Sequence, residues 1–403
     1  MKIPEFLSND DYLQNPVMNR FLKEKEVEVT DNTVRSEYIN KIEEYADIDE
    51  IHESEVKKWL LRVVKEGSKE FCYRKINGSS FIEKNPILIE AKIKEMYPNC
   101  PKTNLLDYSH TEKETLIDYV IDINDNGEAE KICFTFSRIV TLGEKGIAKG
   151  STIFPVFVEV YLNLGLIVSR CKAKSTIYQY DEQNPYVYAD YKINTMGVAI
   201  SLIDKIINIF DYECDTKRDF VLTKNGKLLY KLYSEFSFTP NAVIDQINSV
   251  SDLNQGYIVN LFEKLNLDKK NMENALIDMN ILVEKYISIN GNNETYFKND
   301  RKAYLVKVSA DDPLEYTRID TSSSPKKPLQ CFEAFYDSKK TVIKNKSCEK
   351  LSLCLRRHEN SSFKEEYVQI LFGTNKNCGF FKSIQYAEEE EIQYVLQAIS
   401  RNY

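Results

Sequence analysis

Apolar side chains recur at helical spacing through most of the first 110 residues. Three segments, 34–46, 54–65 and 86–97, place their large apolar residues on one face of a helix. In the third segment Asn85 is a favourable N-cap, and Pro86 fits the first helical turn because its missing N–H would have no partner there. The pattern predicts a helical N-terminal region.

After residue 111 the pattern changes to short apolar runs of strand length. Asn126-Gly127 lies between the first two runs, and this dipeptide readily adopts the positive φ angles of a tight hairpin turn. Helical spacing returns at 195–210. The order predicts an antiparallel sheet covered by a helix, an α+β domain over 111–236. Its predicted strands are 115–123, 131–140, 152–162 and 165–172, with edge strands at 176–180 and 186–192.

Helical spacing also occurs in the next segment, 237–310. Two short strand-like runs follow these helices, at 282–289 and 294–298. Three helices followed by a hairpin is the element order of a winged helix, so the segment is predicted to be a winged-helix-like module. Its predicted helices are 240–249, 255–265 and 268–279.

The segment 321–328 is rich in Ser, Lys and Pro and has the composition of a linker. Beyond it, strand-like runs precede a helix at 388–399, which predicts a small basic α+β C-terminal domain over 328–403. The predicted strands are 329–336, 350–357 and 366–372. The chain as a whole is therefore predicted to be a multidomain α+β protein with a boundary at 321–328.

Composition narrows the class of protein. The chain has 403 residues, 42% of them hydrophobic and 29% charged, which is typical of a globular protein of two or three domains. No signal-peptide pattern and no apolar run of membrane-spanning length is present, and nine scattered cysteines suit reduced thiols. We therefore expect a cytoplasmic protein without a membrane partner.

Two groups of polar residues are candidates for nucleic-acid contact. In a winged helix the third helix enters the major groove and the wing lies near the backbone. Acidic residues on the same helix leave it near neutral, and winged helices also bind proteins. The candidates in this module are Lys269, Lys270, Asn271, Asn274 and Lys298.

The second group lies in 325–358, which has nine Lys or Arg against three acids, a local balance of +6 in a chain whose net charge is −8. Clusters of this kind bind phosphate backbones through counterion release. A solvated rim of a small sheet would have the same composition. The candidates are Lys339, Lys340, Lys344, Lys346, Arg356 and Arg357.

Motifs for metals and nucleotides are incomplete. The calcium-loop pattern that starts at Asp122 has Cys133 where the closing glutamate should be, and Lys149 precedes Gly150 where a phosphate-binding loop needs the reverse order. The spacing of Cys348, Cys354, His358 and Cys378 fits no recognised zinc site. We therefore expect no cofactor and no metal.

One metal-dependent alternative remains. Asp190 and Lys192 would lie on one face of a strand, as in many nucleases, and neighbouring strands offer further carboxylates to share a cation. These carboxylates are Asp118, Asp122 and Glu159.

Three functions stay open. The first is a nucleic-acid-binding regulatory or accessory protein with DNA or RNA as its partner. The abundance of Lys, Asn, Ile and Tyr, typical of AT-rich genomes, suggests for it a role in a defence or mobile-element system. The second is a protein-interaction or scaffold subunit of a larger complex, in which the winged-helix-like module binds a protein. The third is a metal-dependent nuclease built on the 115–192 sheet.

Overall fold

The computed structural model describes most of the chain. The described residues are 1–8, 12–30, 32–78, 82–111, 113–144, 147–174, 176–180, 192–215, 218–290, 294–299, 301–312, 317–323, 327–375 and 377–403. Their fold is mixed α+β, as predicted, and contains a large antiparallel sheet.

Helices occur along the whole described chain. They are α1 Glu5–Ser8, α2 Asn15–Glu24, α3 Arg35–Ala46, α4 Glu50–Lys65, α5 Pro86–Met96, α6 Thr195–Phe210, α7 Arg218–Phe236, α8 Asn241–Ser249, α9 Ser251–Lys264, α10 Met272–Ile289, α11 Glu294–Lys298, α12 Glu333–Asn345 and α13 Glu389–Asn402.

Strands come from three separate parts of the sequence. They are β1 Glu70–Lys75, β2 Thr115–Ile123, β3 Ala129–Ser137, β4 Ile139–Glu144, β5 Ile147–Ile153, β6 Val156–Tyr161, β7 Leu166–Cys171, β8 Ile177–Gln179, β9 Ala303–Asp312, β10 Thr317–Ser322, β11 Lys350–Arg356, β12 Tyr367–Thr374 and β13 Gly379–Ser383.

Ten strands form one antiparallel sheet in the order β10-β9-β11-β12-β13-β1-β7-β6-β3-β2, and β5-β4-β8 form a small second sheet. Strand β1 lies in the middle, between β13 and β7. It joins strands of the 115–171 segment to strands of the 303–383 segment. The sheet therefore crosses the predicted boundary at 321–328, and Thr321 and Ser322 are themselves paired in β10.

Helices cover both faces of the β2-β3-β6 half of this sheet. On one face Ile117, Cys133 and Phe157 pack with α2, α3 and α4, and on the other face Phe134 and Val158 pack with α5 and α6. The alternation follows from the strand period of two, which sends successive side chains to opposite faces. The predicted helices at 34–46, 54–65, 86–97 and 195–210, and the predicted hairpin at 126–127, are confirmed.

Helices α7, α12 and α13 cover one face of the other half of the sheet. Strand residues such as Phe71, Leu353 and Phe381 meet helix residues such as Leu232 and Leu396 in this core. Helix α10 packs on α12, and α8 and α9 pack on α10. These helices therefore lie outside the first helical layer on the sheet.

Two strand predictions in the winged-helix-like segment are wrong. Residues 282–289 belong to α10, and 294–298 form α11. A short apolar run rich in β-branched residues fits a strand and a buried helix equally well by periodicity alone. Contacts with α12, which include the Lys339–Glu284 ion pair, favour the helix. The hairpin predicted at 282–298 is therefore not formed.

The strand predicted at 329–336 is also wrong. The segment forms a 3-10 turn at Leu329–Cys331 and the start of α12. Phe335, Tyr336 and Val342 of this helix are buried on one face, which faces the α7 residue Tyr233. The predicted strands at 350–357 and 366–372 and the helix at 388–399 are confirmed. The edge strand predicted at 186–192 falls largely outside the described residues.

Candidate functional site

The helices α8, α9 and α10 expose an unusual number of large apolar side chains. Twenty such side chains are exposed in the described residues, and eight of them lie within the 49 residues from Asn241 to Ile289. We call these eight the α8–α10 apolar residues. They are Ile244, Leu253, Tyr257, Leu265, Leu267, Ile277, Leu282 and Tyr286.

The packing of α9 explains this exposure. Only Ile258 and Phe262 of this helix are buried, while Leu253 is 73% exposed and Tyr257 is 57% exposed. Leu253 and Tyr257 lie four residues apart and therefore share a face of the helix. An ordinary amphipathic helix would carry polar residues there.

Gly256 lies beside Tyr257 in the interior of α9. A β-carbon at this position would meet nothing within 4 Å. Glycine in a helix interior costs about 0.5–1 kcal/mol relative to alanine. No contact within the described part of the chain requires this glycine.

Most of the predicted cationic contacts are neutralised inside the chain. Lys339 pairs with the buried Glu284, and Lys340 pairs with Asp278, so these two lysines join α12 to α10. The other pairs are Lys298–Glu294 at 2.5 Å and Arg356–Glu366 at 3.2 Å. Arg357 is buried and donates from Nη2 to the Tyr386 carbonyl at 2.8 Å. These five side chains already have partners.

The remaining predicted contacts are exposed and lie at one end of a helix pair. The ion pairs Lys285–Asp337 and Asp278–Lys340 show that α10 and α12 are antiparallel. A later residue of α12 pairs with an earlier residue of α10. One turn further, the C-terminal end of α12 reaches the level of the first turn of α10. The six exposed residues at these ends are Lys269, Lys270, Asn271, Asn274, Lys344 and Lys346.

The carboxylates proposed for a nuclease also have partners. Asp118 lies 3.5 Å from Lys102, and Asp122 lies 3.6 Å from Lys131. Glu159 is buried against Arg170, with 2.5 Å between carboxylate oxygen and guanidinium nitrogen. Asp190 lies outside the described residues. The described carboxylates are therefore balanced by cations of the chain itself.

The cysteines considered for zinc do not gather around His358. Cys378 contacts Cys72, and Cys354 contacts Tyr304. Instead, His358, Glu388 and Glu391 place one atom each within 4.8 Å of one another. Their polar atoms are already used, because Glu388 accepts from the Ser362 N–H, and Glu391 accepts from the Glu388 N–H at the start of α13. This group is accounted for as the cap of α13.

The most buried ionic cluster lies where α4, β6, β7 and α13 meet. Arg170 is fully buried and contacts both Glu159 and Glu389, and Tyr161 donates to Glu159. Burial alone would raise the pKa of the Glu159 carboxyl. The Arg170 guanidinium outweighs this effect and keeps that pKa below its ordinary value. Because every charge faces an opposite charge, we assign this cluster to the fold.

Glu66, which follows α4, is compensated only in part, because Arg62 pairs with it at 3.4 Å but the Arg62 side chain is 55% exposed. Glu66 itself is 3% exposed, and burial together with the nearby Glu388 and Glu389 raises the pKa of its carboxyl to about 7. The Tyr386 hydroxyl and the Glu389 N–H donate to it, each at 3.2 Å. Its proton therefore stays bound at acidic pH.

The sequence matches no protein-family model and no curated protein, and the fold matches no solved structure. No helix among the described residues is long and apolar enough to cross a bilayer. The function is therefore argued from the residues of this chain.

Proposed function

We propose that this protein is an interaction subunit that binds a partner protein through the α8–α10 apolar residues. The observation that carries the proposal is their exposure, because eight of the twenty exposed large apolar side chains occupy about an eighth of the chain. Large apolar side chains exposed at this density mark protein–protein interaction sites more often than the single apolar residues scattered over an ordinary surface. This is the second of the three functions that the sequence leaves open.

Gly256 supports the same proposal. A residue without a β-carbon allows another backbone to approach a helix closely, and nothing within the described chain makes that approach. Leu253 and Tyr257 flank the glycine on the same side of α9. This face of α9 suits an amphipathic helix of a partner, whose apolar residues would contact Leu253 and Tyr257.

The ion pairs between α10 and α12 also favour a protein partner over a polyanion. Glu284 and Asp278 neutralise the charges of Lys339 and Lys340. The centres of protein interfaces are depleted in charged residues and enriched in tyrosine. Tyr257 and Tyr286 are exposed here, and Lys339 is largely buried.

A photo-crosslinking amino acid at Tyr257 tests the proposal. Ile87 on α5 is a matched control position, because it is apolar and 76% exposed on another helix. We expect a single partner protein to crosslink from position 257 and not from position 87. The purified partner should then bind the purified chain.

Charge substitutions at the same positions complete the test. Leu253→Glu and Tyr257→Glu should each weaken binding of the purified partner by about tenfold or more, because charge is costly in an apolar interface. Ile87→Glu should leave binding unchanged. All three should stay within about 0.5 kcal/mol of the parent in unfolding free energy, since the sites are exposed. Equal partner affinity for Leu253→Glu and Ile87→Glu would refute the proposal.

Nucleic-acid binding is a second candidate. It is supported by the antiparallel α10–α12 pair, which brings the exposed Lys269 and Lys270 to the same end as Lys344 and Lys346. Asp268 and Glu273 reduce the local charge to about +2 when they are counted with these four lysines. A defence or mobile-element role stays a prediction.

A further inference from the structure

A cavity of about 600 Å³ opens at the N-terminus of α6. It lies between strands β1 and β13 and the segment that leads into the helix. Among the described residues, three lysines and one glutamate contribute to its lining, together with the first helical residues. The lining residues that matter are Glu70, Lys174, Lys192, Thr195, Met196 and Lys382.

The first turn of α6 leaves donors free at this cavity. Asn194 caps the helix by accepting from the Gly197 N–H at 3.1 Å. The N–H groups of Thr195 and Met196 have no acceptor in the described part of the chain. Helix α6 has 16 residues, so the positive end of its dipole adds to these donors.

Thr195 supplies an independent sign of a ligand. The residue is 7% exposed and lines the cavity. Its hydroxyl makes no hydrogen bond within the described ranges. The hydroxyl oxygen is not completely enclosed by protein atoms. The hydroxyl therefore opens onto the cavity and can donate a hydrogen bond there.

The charges around the cavity favour an anion. Lys382 pairs with Glu70 at 3.2 Å, so the one acid among the described residues of the lining is already matched by a lysine. Lys192 adds a further ammonium group to the same lining. The donors at the helix terminus and the lysine charge are thus arranged around one space.

We propose that this cavity binds a phosphate group. The Thr195 and Met196 N–H groups and the Thr195 hydroxyl donate to its oxygens, and Lys192 contributes charge. Helix N-termini with nearby cations bind phosphate because both the free N–H groups and the dipole favour negative charge. The site is separate from the α8–α10 apolar residues, so this proposal does not depend on the proposed protein interaction.

The phosphate belongs either to a small molecule or to a nucleic-acid backbone. Titration of the full chain with inorganic phosphate and with a mononucleotide measures the first source. A single-stranded oligonucleotide measures the second. Phosphate-observed NMR and calorimetry report binding to the chain as it is, without any assumption about activity.

Thr195→Val is the decisive variant, because valine keeps the volume of threonine and removes the hydroxyl. We expect it to weaken phosphate binding by about tenfold, the size of one hydrogen bond to a charged group. Lys192→Gln should weaken binding by a similar factor. Lys58→Gln on α4 is the control, since Lys58 is exposed and does not line the cavity.

Each outcome decides the proposal. Weakened binding of phosphate or mononucleotide in Thr195→Val and Lys192→Gln, with Lys58→Gln unchanged, supports a small-molecule site. Oligonucleotide binding that phosphate displaces and Thr195→Val weakens supports the site with a nucleic-acid source. Absence of binding by the parent chain, or equal affinity in Thr195→Val, overturns it. Unchanged unfolding temperatures without ligand show that the variants are folded.

Discussion

At the scale of single residues, Glu66 makes the unfolding free energy of the chain depend on pH. Burial holds its carboxyl protonated in the folded chain up to about pH 7, whereas the unfolded carboxyl ionises near 4.5. Between these values the folded state binds more protons, so the unfolding free energy decreases as pH rises from about 4.5 to about 7. The difference of pKa corresponds to about 3 kcal/mol.

Glu66→Gln should remove this part of the pH dependence. The amide oxygen can still accept from the Tyr386 hydroxyl, and the side chain stays neutral at every pH. Denaturant unfolding at a series of pH values between 4.5 and 7.5 measures the effect. Glu95→Gln on α5 is the control, because Glu95 is exposed. If the slopes of parent and Glu66→Gln coincide, the assignment to Glu66 is wrong.

Some residue contacts follow from the sequence once the strand register is known. Glu159 pairs across from Val168, so Arg170 lies diagonally opposite it on the same face of the β6–β7 pair. The turn at 163–165 is visible in the sequence and sets this register. Counting across that turn would have assigned Glu159 to Arg170 instead of to a metal. Glu389, the second partner of Arg170, is 219 residues away and could not be found that way.

Among elements, the α10–α12 pair decides whether nucleic acid is a partner. Its exposed end carries Lys269, Lys270, Lys344 and Lys346, and these lysines have no ion pair within the described residues. If the end binds DNA or RNA, affinity should fall steeply with salt, and Lys344→Gln with Lys346→Gln should weaken binding and flatten the salt dependence. Binding isotherms with duplex and single-stranded oligonucleotides measure both effects.

The matched control uses the neutralised cations of the same helices. Lys340→Gln should change nucleic-acid affinity less than Lys344→Gln, because Lys340 already pairs with Asp278. Equal effects of the two variants would argue against this end of the pair as the contact. Absence of binding at low salt leaves the protein-interaction proposal as the sole candidate of the two.

Elements were predictable where local signals agreed. At α5, Asn85 accepts from the Ile87 N–H and Pro86 occupies the first turn, so cap, proline and apolar spacing all indicated the helix. At 282–289 local composition favoured a strand, and packing against α12 decided otherwise. Strand β1 has no local strand signal, because Glu70–Lys75 is short and charged at both ends. Its burial comes from two neighbours distant in sequence.

For the molecule as a whole, the sheet order predicts that the chain folds as one unit. Strands β9 and β10 precede residue 324, and β11 to β13 follow it, yet β11 pairs with β9 and β13 pairs with β1. Residues 1–323 alone would lose three strands and most of the apolar core around Leu353 and Phe381. We therefore expect the separate pieces 1–323 and 327–403 not to unfold cooperatively.

The measurement is thermal and denaturant unfolding of each purified piece and of the full chain. The full chain should show one transition. A protease site placed in 324–326 is the control, because cleavage there leaves every strand present, and the two pieces should stay associated. Two independent transitions in the full chain, or a cooperative transition in 327–403 alone, would favour the separate domains that the linker composition indicates.

The central place of β1 also bears on how the protein is made. During synthesis β1 can pair with β7 once residue 171 has left the ribosome. The other edge of β1 stays unpaired until β13 at Gly379–Ser383 is synthesised, more than 300 residues after β1 itself. Until then the unpaired backbone N–H and C=O groups of this edge are exposed, and exposed strand edges can pair with other chains. Yield of the native protein should consequently depend on chaperones that shield nascent chains.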